Sequence, residues 1–82
     1  MVIKTIAVWG RLVDEDEGKP LFDKLKQYID NGQCLHAATE INHNGHRGFE
    51  RTWTDLASAE EFTTFIKTFV PPPIVAEVEH SE

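Results

Sequence analysis

The sequence predicts one α+β domain over residues 1–82, in which a four-stranded antiparallel sheet carries two helices on one face. Two observations support this prediction. Four segments have the alternation or the β-branched content of strands. Two other segments, which lie between these strands, have helical periodicity. The dipeptide Asn44-Gly45, the strongest short signal of a hairpin, lies between the second and third strand patterns. A chain of 82 residues leaves no room for a second domain.

The first predicted strand covers residues 2–9, VIKTIAVW. One face would carry Val2, Lys4, Ile6 and Val8, and the opposite face is also substantially apolar. A strand with one solvent-exposed face alternates apolar and polar residues. We therefore expect each face of this strand to be covered.

The first predicted helix starts at Pro20, because a proline at the first helical position loses no amide hydrogen bond. Residues 10–19 before it are predicted to be a loop, with the acidic run 14–17 at its centre and exposed to solvent. Gly32 is expected to cap the C-terminal end of the helix in a left-handed conformation. The apolar face of the helix would consist of Leu21, Phe22, Leu25, Tyr28 and Ile29.

Three further strands and a second helix are predicted in the rest of the chain. Strands are predicted over residues 34–42, 47–54 and 74–80. Ser58 and Glu61 have the spacing of a capping box, which predicts that the second helix starts after Ser58. The prolines at positions 71–73 would end this helix. Its core-facing side would consist of Phe62, Phe65, Ile66 and Phe69.

This β-α-β-β-α-β order is that of the ferredoxin-like fold. Right-handed crossovers place the first and third strands in the centre of the sheet and both helices on one face. One chain then has no element left to cover the other face. A second copy of the same sheet is the simplest cover, so we expect a homodimer packed sheet to sheet.

Charge, cysteine content and hydrophobicity restrict the partners and the location of the protein. The net charge of −6 disfavours nucleic acids and anionic membranes. Cys34 is the only cysteine, so an intrachain disulfide is impossible. No apolar segment approaches the ~20 residues of a membrane span, and the first residues lack the apolar core of a signal peptide. We therefore expect a cytoplasmic protein.

The third predicted strand carries an unusual combination of side chains on one face. Arginines alternate there with aromatic residues, as Arg47, Phe49, Arg51 and Trp53. Aromatic walls and a guanidinium would suit a cleft that holds a flat ligand with a carboxylate or an enolate oxygen. In the alternative interpretation, the aromatic residues pack in the core and the arginines extend to solvent. Trp9, at the end of the other central strand, could reach the same region.

The four histidines differ in what they can do, and His80, beside the acidic C-terminal residues, is expected to lie at the surface. His36 lies on a strand and could act as a general base near neutral pH, although a partly exposed histidine without a role is the more common case. His43 and His46 flank the tight turn and are expected to be solvated. Because no cysteine cluster accompanies them, we predict no metal site.

The chain resembles the dimeric α+β barrel superfamily, in its length and element order and in a short motif that runs from the third strand into the second helix. The motif consists of Phe49, Glu50, Arg51, Trp53, Leu56, Ala59, Glu60 and Phe62. The resemblance implies a cleft between sheet and helices. The superfamily includes cofactor-free monooxygenases of the antibiotic-biosynthesis type, muconolactone-isomerase-like enzymes and proteins without known activity. Its haem-binding members carry a helical histidine, and none of the four histidines here falls in a predicted helix, so we expect no cofactor.

Two functional hypotheses follow. In the first, a small homodimer binds an aromatic or acidic organic molecule with Trp9, Phe49 and Trp53. If that protein is an enzyme, the resemblance implies cofactor-free oxygenation or isomerisation, with Arg51 stabilising negative charge on oxygen and His36 moving protons. In the second, the protein is a non-catalytic structural or regulatory subunit whose sheet face only forms the dimer.

Overall fold

The computed structural model describes residues 2–81. Its six elements follow the predicted order, which confirms a ferredoxin-like α+β fold. They are β1 (Val2–Val8), α1 (Glu15–Asp30), β2 (Cys34–His43), β3 (His46–Trp53), α2 (Leu56–Lys67) and β4 (Val75–Ser81).

The sheet has the strand order β2-β3-β1-β4, and every neighbouring pair is antiparallel. The prediction that the first and third strands are central is therefore confirmed. The packing of these two strands requires glycine at position 48, since a Cβ there would lie 2.0 Å from the carbonyl oxygen of Ala7. The pairing of β2 with β3 is irregular, because Cys34 pairs with Trp53 but Ala38 pairs with Arg51. This shift adds two residues to β2 in the region of His36.

Helix α1 starts at Glu15, so the predicted start at Pro20 is wrong, and Pro20 lies inside the helix. Asp14 is the N-cap. Its carboxylate accepts a hydrogen bond from the Glu17 amide at 2.8 Å, and the Glu17 carboxylate accepts one from the Asp14 amide at 3.4 Å. The acidic run therefore does not lie in a loop. It satisfies amide donors at the helix start and interacts favourably with the positive end of the helix dipole.

Helix α2 also starts earlier than predicted. Asp55 is the N-cap, and its two carboxylate oxygens accept hydrogen bonds from the Ser58 amide at 2.8 Å and the Ser58 hydroxyl at 2.9 Å. The expected cap at Ser58 is thus wrong, because a stronger acceptor lies three residues before it. The predicted apolar face is correct within the helix, where Phe62 and Ile66 are fully buried. Phe69 lies beyond the helix end and is also buried.

The core lies between the sheet and the two helices. Trp53 is at its centre, with its ring centroid 5.1 Å from that of Tyr28 on α1 and 5.3 Å from that of Phe62 on α2. The Tyr28 hydroxyl donates to the Glu61 carboxylate. Burial and this hydrogen bond raise the pKa of Tyr28, so the hydroxyl stays protonated and joins the two helices.

A chain of buried hydrogen bonds crosses this core. The Trp53 indole N–H donates to Thr5 Oγ1 at 2.9 Å, and the Thr63 hydroxyl donates to the Ala59 carbonyl oxygen at 2.7 Å. Since Thr63 has used its only proton, Thr5 donates to Thr63 Oγ1, at 2.9 Å. One orientation of the protons therefore satisfies every donor and links β3, β1 and α2. We call Trp53, Thr5, Thr63 and Ala59 the buried hydrogen-bond chain.

The other face of the sheet carries no helix, and we call it the outer face. Among its members, Ile6 lies between Glu50 on β3 and Glu77 on β4, and Lys4 forms an ion pair with Glu50 at 2.6 Å. The outer face therefore mixes apolar and charged side chains. It consists of Val2, Lys4, Ile6, Val8, Thr39, Ile41, His43, His46, Gly48, Glu50, Thr52, Val75, Glu77, Glu79 and Ser81.

We predict that Thr5→Val lowers the free energy of unfolding by about 1–3 kcal/mol, because the buried Trp53 N–H loses its acceptor while the side-chain shape is preserved. The control is Thr64→Val at an exposed position of α2, which should stay within about 0.5 kcal/mol of the unsubstituted protein. Urea unfolding measures both. Equal effects of the two substitutions would contradict a stabilising role for the buried hydrogen-bond chain.

Candidate functional site

The main candidate site is a cleft of about 350 Å³ between the first half of α1 and the adjacent ends of the sheet, and we call it the α1 cleft. The segment that joins β1 to α1 forms its rim. Its lining is predominantly apolar, with three charged side chains. The lining residues are Trp9, Arg11, Leu12, Val13, Gly18, Leu21, Phe22, Glu40, Arg47, Gly48 and Phe49.

Two aromatic rings form the sheet side of the cleft. The ring centroids of Trp9 and Phe49 lie 5.6 Å apart, with their planes tilted by 37°. The Trp9 indole N–H donates to the Pro71 carbonyl oxygen at 2.8 Å, and the Phe69 ring packs edge-on against the indole, with a centroid distance of 6.3 Å. The indole is therefore held in place by the segment after α2, and its polar atom is satisfied within the protein.

The rim of the cleft exposes large apolar side chains. Leu12 is 81% exposed and Phe22 is 58% exposed, whereas Leu21 beside them is buried. Leu12 belongs to the segment before α1, and Phe22 lies on the helix itself. Two exposed apolar side chains beside an open cavity offer a surface that a bound molecule would cover.

The charged groups of the cleft have different partners. Arg11 donates to both carboxylate oxygens of Glu17, at 3.1 and 2.7 Å, and to the Leu12 carbonyl oxygen at 2.9 Å. Arg47 forms no ion pair with any residue from 2 to 81. Glu40 lies opposite Phe49 in the pairing of β2 with β3, on the same face as Arg47. In the cleft, Arg11 is therefore paired with Glu17, whereas Arg47 is available to a ligand.

The contact between Arg11 and Glu17 ties the rim to the start of α1. The hydrogen bond from Arg11, followed by the one from the Asp14 amide, lowers the pKa of Glu17 from 4.5 to about 2. The carboxylate therefore stays charged in both of its structural roles, as a partner of Arg11 and as part of the helix cap.

The structure brings together only some of the predicted site residues. Trp9 and Phe49 line the cleft. Trp53 is buried in the core as part of the buried hydrogen-bond chain. Arg51 is half-buried and donates to the carbonyl oxygen of His36 at 3.0 Å, and the His36 side chain is exposed. These three residues lie outside the lining of the α1 cleft.

Sequence reasoning missed the part of the site that comes from α1 and its preceding segment. Arg11, Gly18 and Phe22 all line the cleft. A signal for them was present, because Asp14 and Glu17 have the spacing of a capping box. An earlier helix start would have placed Gly18 and Phe22 on the same face of the helix.

No group of three or more His, Cys, Asp or Glu side chains within residues 2–81 is arranged to hold a metal ion. Burial raises the pKa of the Cys34 thiol, although the nearby charge of Arg51 opposes this shift, so the thiol is poorly suited to act as a nucleophile. Neither described helix is long and apolar enough to cross a membrane.

Comparison of the sequence with models of known protein families gives no match. A search of curated proteins likewise finds no similar sequence. The structure therefore establishes a ferredoxin-like fold, but the comparisons assign the chain to no particular superfamily.

We predict that the Glu17 carboxyl titrates near pH 2 in the folded protein, which carbon-detected NMR measures directly. Because its pKa is lowered by folding, its stabilising contribution is present above pH 4.5 and is lost as the pH falls towards 2. In Glu17→Gln the stability should therefore fall less steeply over this range than in the unsubstituted protein.

Glu60→Gln is the matched control, since Glu60 is exposed on α2 and forms no ion pair with any residue from 2 to 81. It should leave the acid part of the stability curve unchanged. A titration of Glu17 near pH 4.5 would contradict the proposed contact with Arg11.

Proposed function

We propose that this protein is a homodimer of the dimeric α+β barrel type that binds a small organic molecule in the α1 cleft. The observation that carries the proposal is the cleft itself. It is lined by the paired rings of Trp9 and Phe49 and has an arginine, Arg47, that forms no ion pair with residues 2–81. Small-molecule sites typically combine an apolar cavity with a few polar groups that fix orientation.

The size and the rim of the cleft support this proposal. Its volume of about 350 Å³ is at the lower end of the range for small-molecule sites. A ligand that covers Leu12 and Phe22 would remove apolar surface from water, at about 25 cal/mol per Å². These features favour a compact, flat molecule over a long flexible one.

The proposal that the protein is an enzyme rests on its resemblance to cofactor-free monooxygenases and isomerases. Within that proposal, His36 and Arg51 stay the predicted catalytic residues, although they lie outside the lining of the α1 cleft and Arg51 contacts only the backbone carbonyl oxygen of His36, at 3.0 Å. Oxygen consumption with a quinol substrate tests it. Turnover that is lost in His36→Gln would support the assignment, and turnover that is unchanged would contradict it.

A structural or regulatory subunit is the second candidate, and a specific observation favours it. Trp53 and Arg51, the residues expected to mark a site, are both engaged within the protein. In this case the outer face of the sheet would make the dimer, and the α1 cleft would have no ligand. Both candidate functions include the dimer, so they differ in whether the α1 cleft binds a ligand.

We predict that a neutral aromatic probe, 2-naphthol, binds in the α1 cleft. In amide NMR spectra, Gly18, Gly48 and Phe49 should shift, whereas Glu79 on the outer face should not. Gly18→Leu should weaken binding about tenfold or more, since a side chain there extends towards Val13 and Phe22 in the cleft.

Ala57→Leu, at an exposed position of α2, is the matched control and should leave the binding of 2-naphthol unchanged. If Gly18→Leu and Ala57→Leu bind the probe as well as the unsubstituted protein does, the α1 cleft is not the site.

We predict that the protein is a dimer in light scattering at micromolar concentration and that Ile6→Lys makes it a monomer. The lysine would lie between Glu50 and Glu77, so the separate chain should tolerate it, but a sheet-to-sheet interface would have to bury its charge. Thr64→Lys on α2 is the control and should remain a dimer. A monomeric unsubstituted protein would refute the dimer.

A further inference from the structure

We infer that the ligand of the α1 cleft is an aromatic monocarboxylate whose carboxylate is bound by Arg47. This inference rests on the proposed function and specifies the chemical class of the ligand. It is carried by the distribution of charge around the cleft rather than by its shape.

The cations of the cleft stand out against the composition of the chain. The protein has fourteen acidic and eight basic residues, and three of the basic residues are arginines. Two of these, Arg11 and Arg47, line the α1 cleft. Arg11 is held by both oxygens of Glu17, so only Arg47 is available to an anion. A guanidinium binds a carboxylate through two parallel hydrogen bonds, which makes the contact directional as well as charged.

The position of Arg47 defines where the carboxylate would lie. Arg47 precedes Phe49 by two residues on the same face of β3, so it neighbours the aromatic wall. It also lines a second hollow of about 220 Å³ at the β2–β3 turn, which shares Trp9, Arg11 and Leu12 with the cleft. Arg47 therefore lies where the α1 cleft meets this second hollow. A flat apolar body against Trp9 and Phe49 would direct its carboxylate to this junction.

Glu40 limits the ligand to a single carboxylate. Glu40 lies on β2 opposite Phe49 and lines the same cleft. A second carboxylate on the aromatic body would come close to this charge, and the net charge of −6 would further repel a dianion. A hydroxyl on the body would instead find an acceptor in Glu40.

The test uses three probes of the same aromatic body: 2-naphthoate, its neutral amide 2-naphthamide and naphthalene-2,6-dicarboxylate. In calorimetric titrations, 2-naphthoate should bind about tenfold more tightly than the amide, and the dicarboxylate should bind more weakly than 2-naphthoate. Arg47→Met should reduce the affinity for 2-naphthoate to that for the amide and leave the amide unchanged.

Lys67→Met is the matched control, because it makes the same change in net charge at an exposed position of α2. It should retain the preference for 2-naphthoate. If 2-naphthoate and the amide bind equally and Gly18→Leu weakens both, the inference about Arg47 is overturned while the proposed function stands. If neither probe binds, the proposed function and this inference are both overturned.

Discussion

The buried hydrogen-bond chain from Trp53 through Thr5 and Thr63 to Ala59 is the constraint on which the rest of the structure depends. Thr5 is fully buried at the centre of the sheet, where an unpaired hydroxyl would be costly. Its proton and its oxygen are both used, so the Thr5 hydroxyl joins β3, β1 and α2. Net gains per hydrogen bond are only about 0.5–1.5 kcal/mol, but an unsatisfied buried donor costs about 1–3 kcal/mol. The buried hydrogen-bond chain therefore adds little net stability, but it disfavours packings in which one of its donors would be left without an acceptor.

The buried hydrogen-bond chain and the α1 cleft lie at opposite ends of β3. Trp53 directs its indole N–H to Thr5 and packs its ring between the helices, so this end of β3 is closed. At the other end, Phe49 lies opposite Ala7, which has a small side chain, and near the start of α1. Arg11 and Glu17 hold the segment before α1 beside this opening. One strand thus contributes to the core at one end and to the candidate site at the other.

The topology could be predicted from the sequence because it depends on strong local patterns, above all the Asn44-Gly45 turn and the strand alternation. The predicted helix starts were wrong because each helix has two possible start signals, Asp14 or Pro20 for α1 and Asp55 or Ser58 for α2, and the aspartate is the N-cap in both cases. Alternation correctly placed Phe49 and Trp53 on one face, but it does not say which end of a strand lies under a helix. The register shift between Cys34 and Ala38, which determines the surroundings of His36, has no counterpart in the alternation pattern.

The most direct test of the central claim, that the α1 cleft is a ligand site, is a crystal structure of the protein soaked with 2-naphthoate. We predict electron density for the naphthalene rings against Trp9 and Phe49, with the carboxylate within hydrogen-bond distance of Arg47. A structure in which Leu12 and Phe22 fold into the cleft and fill it, with no density for the probe, would contradict the account.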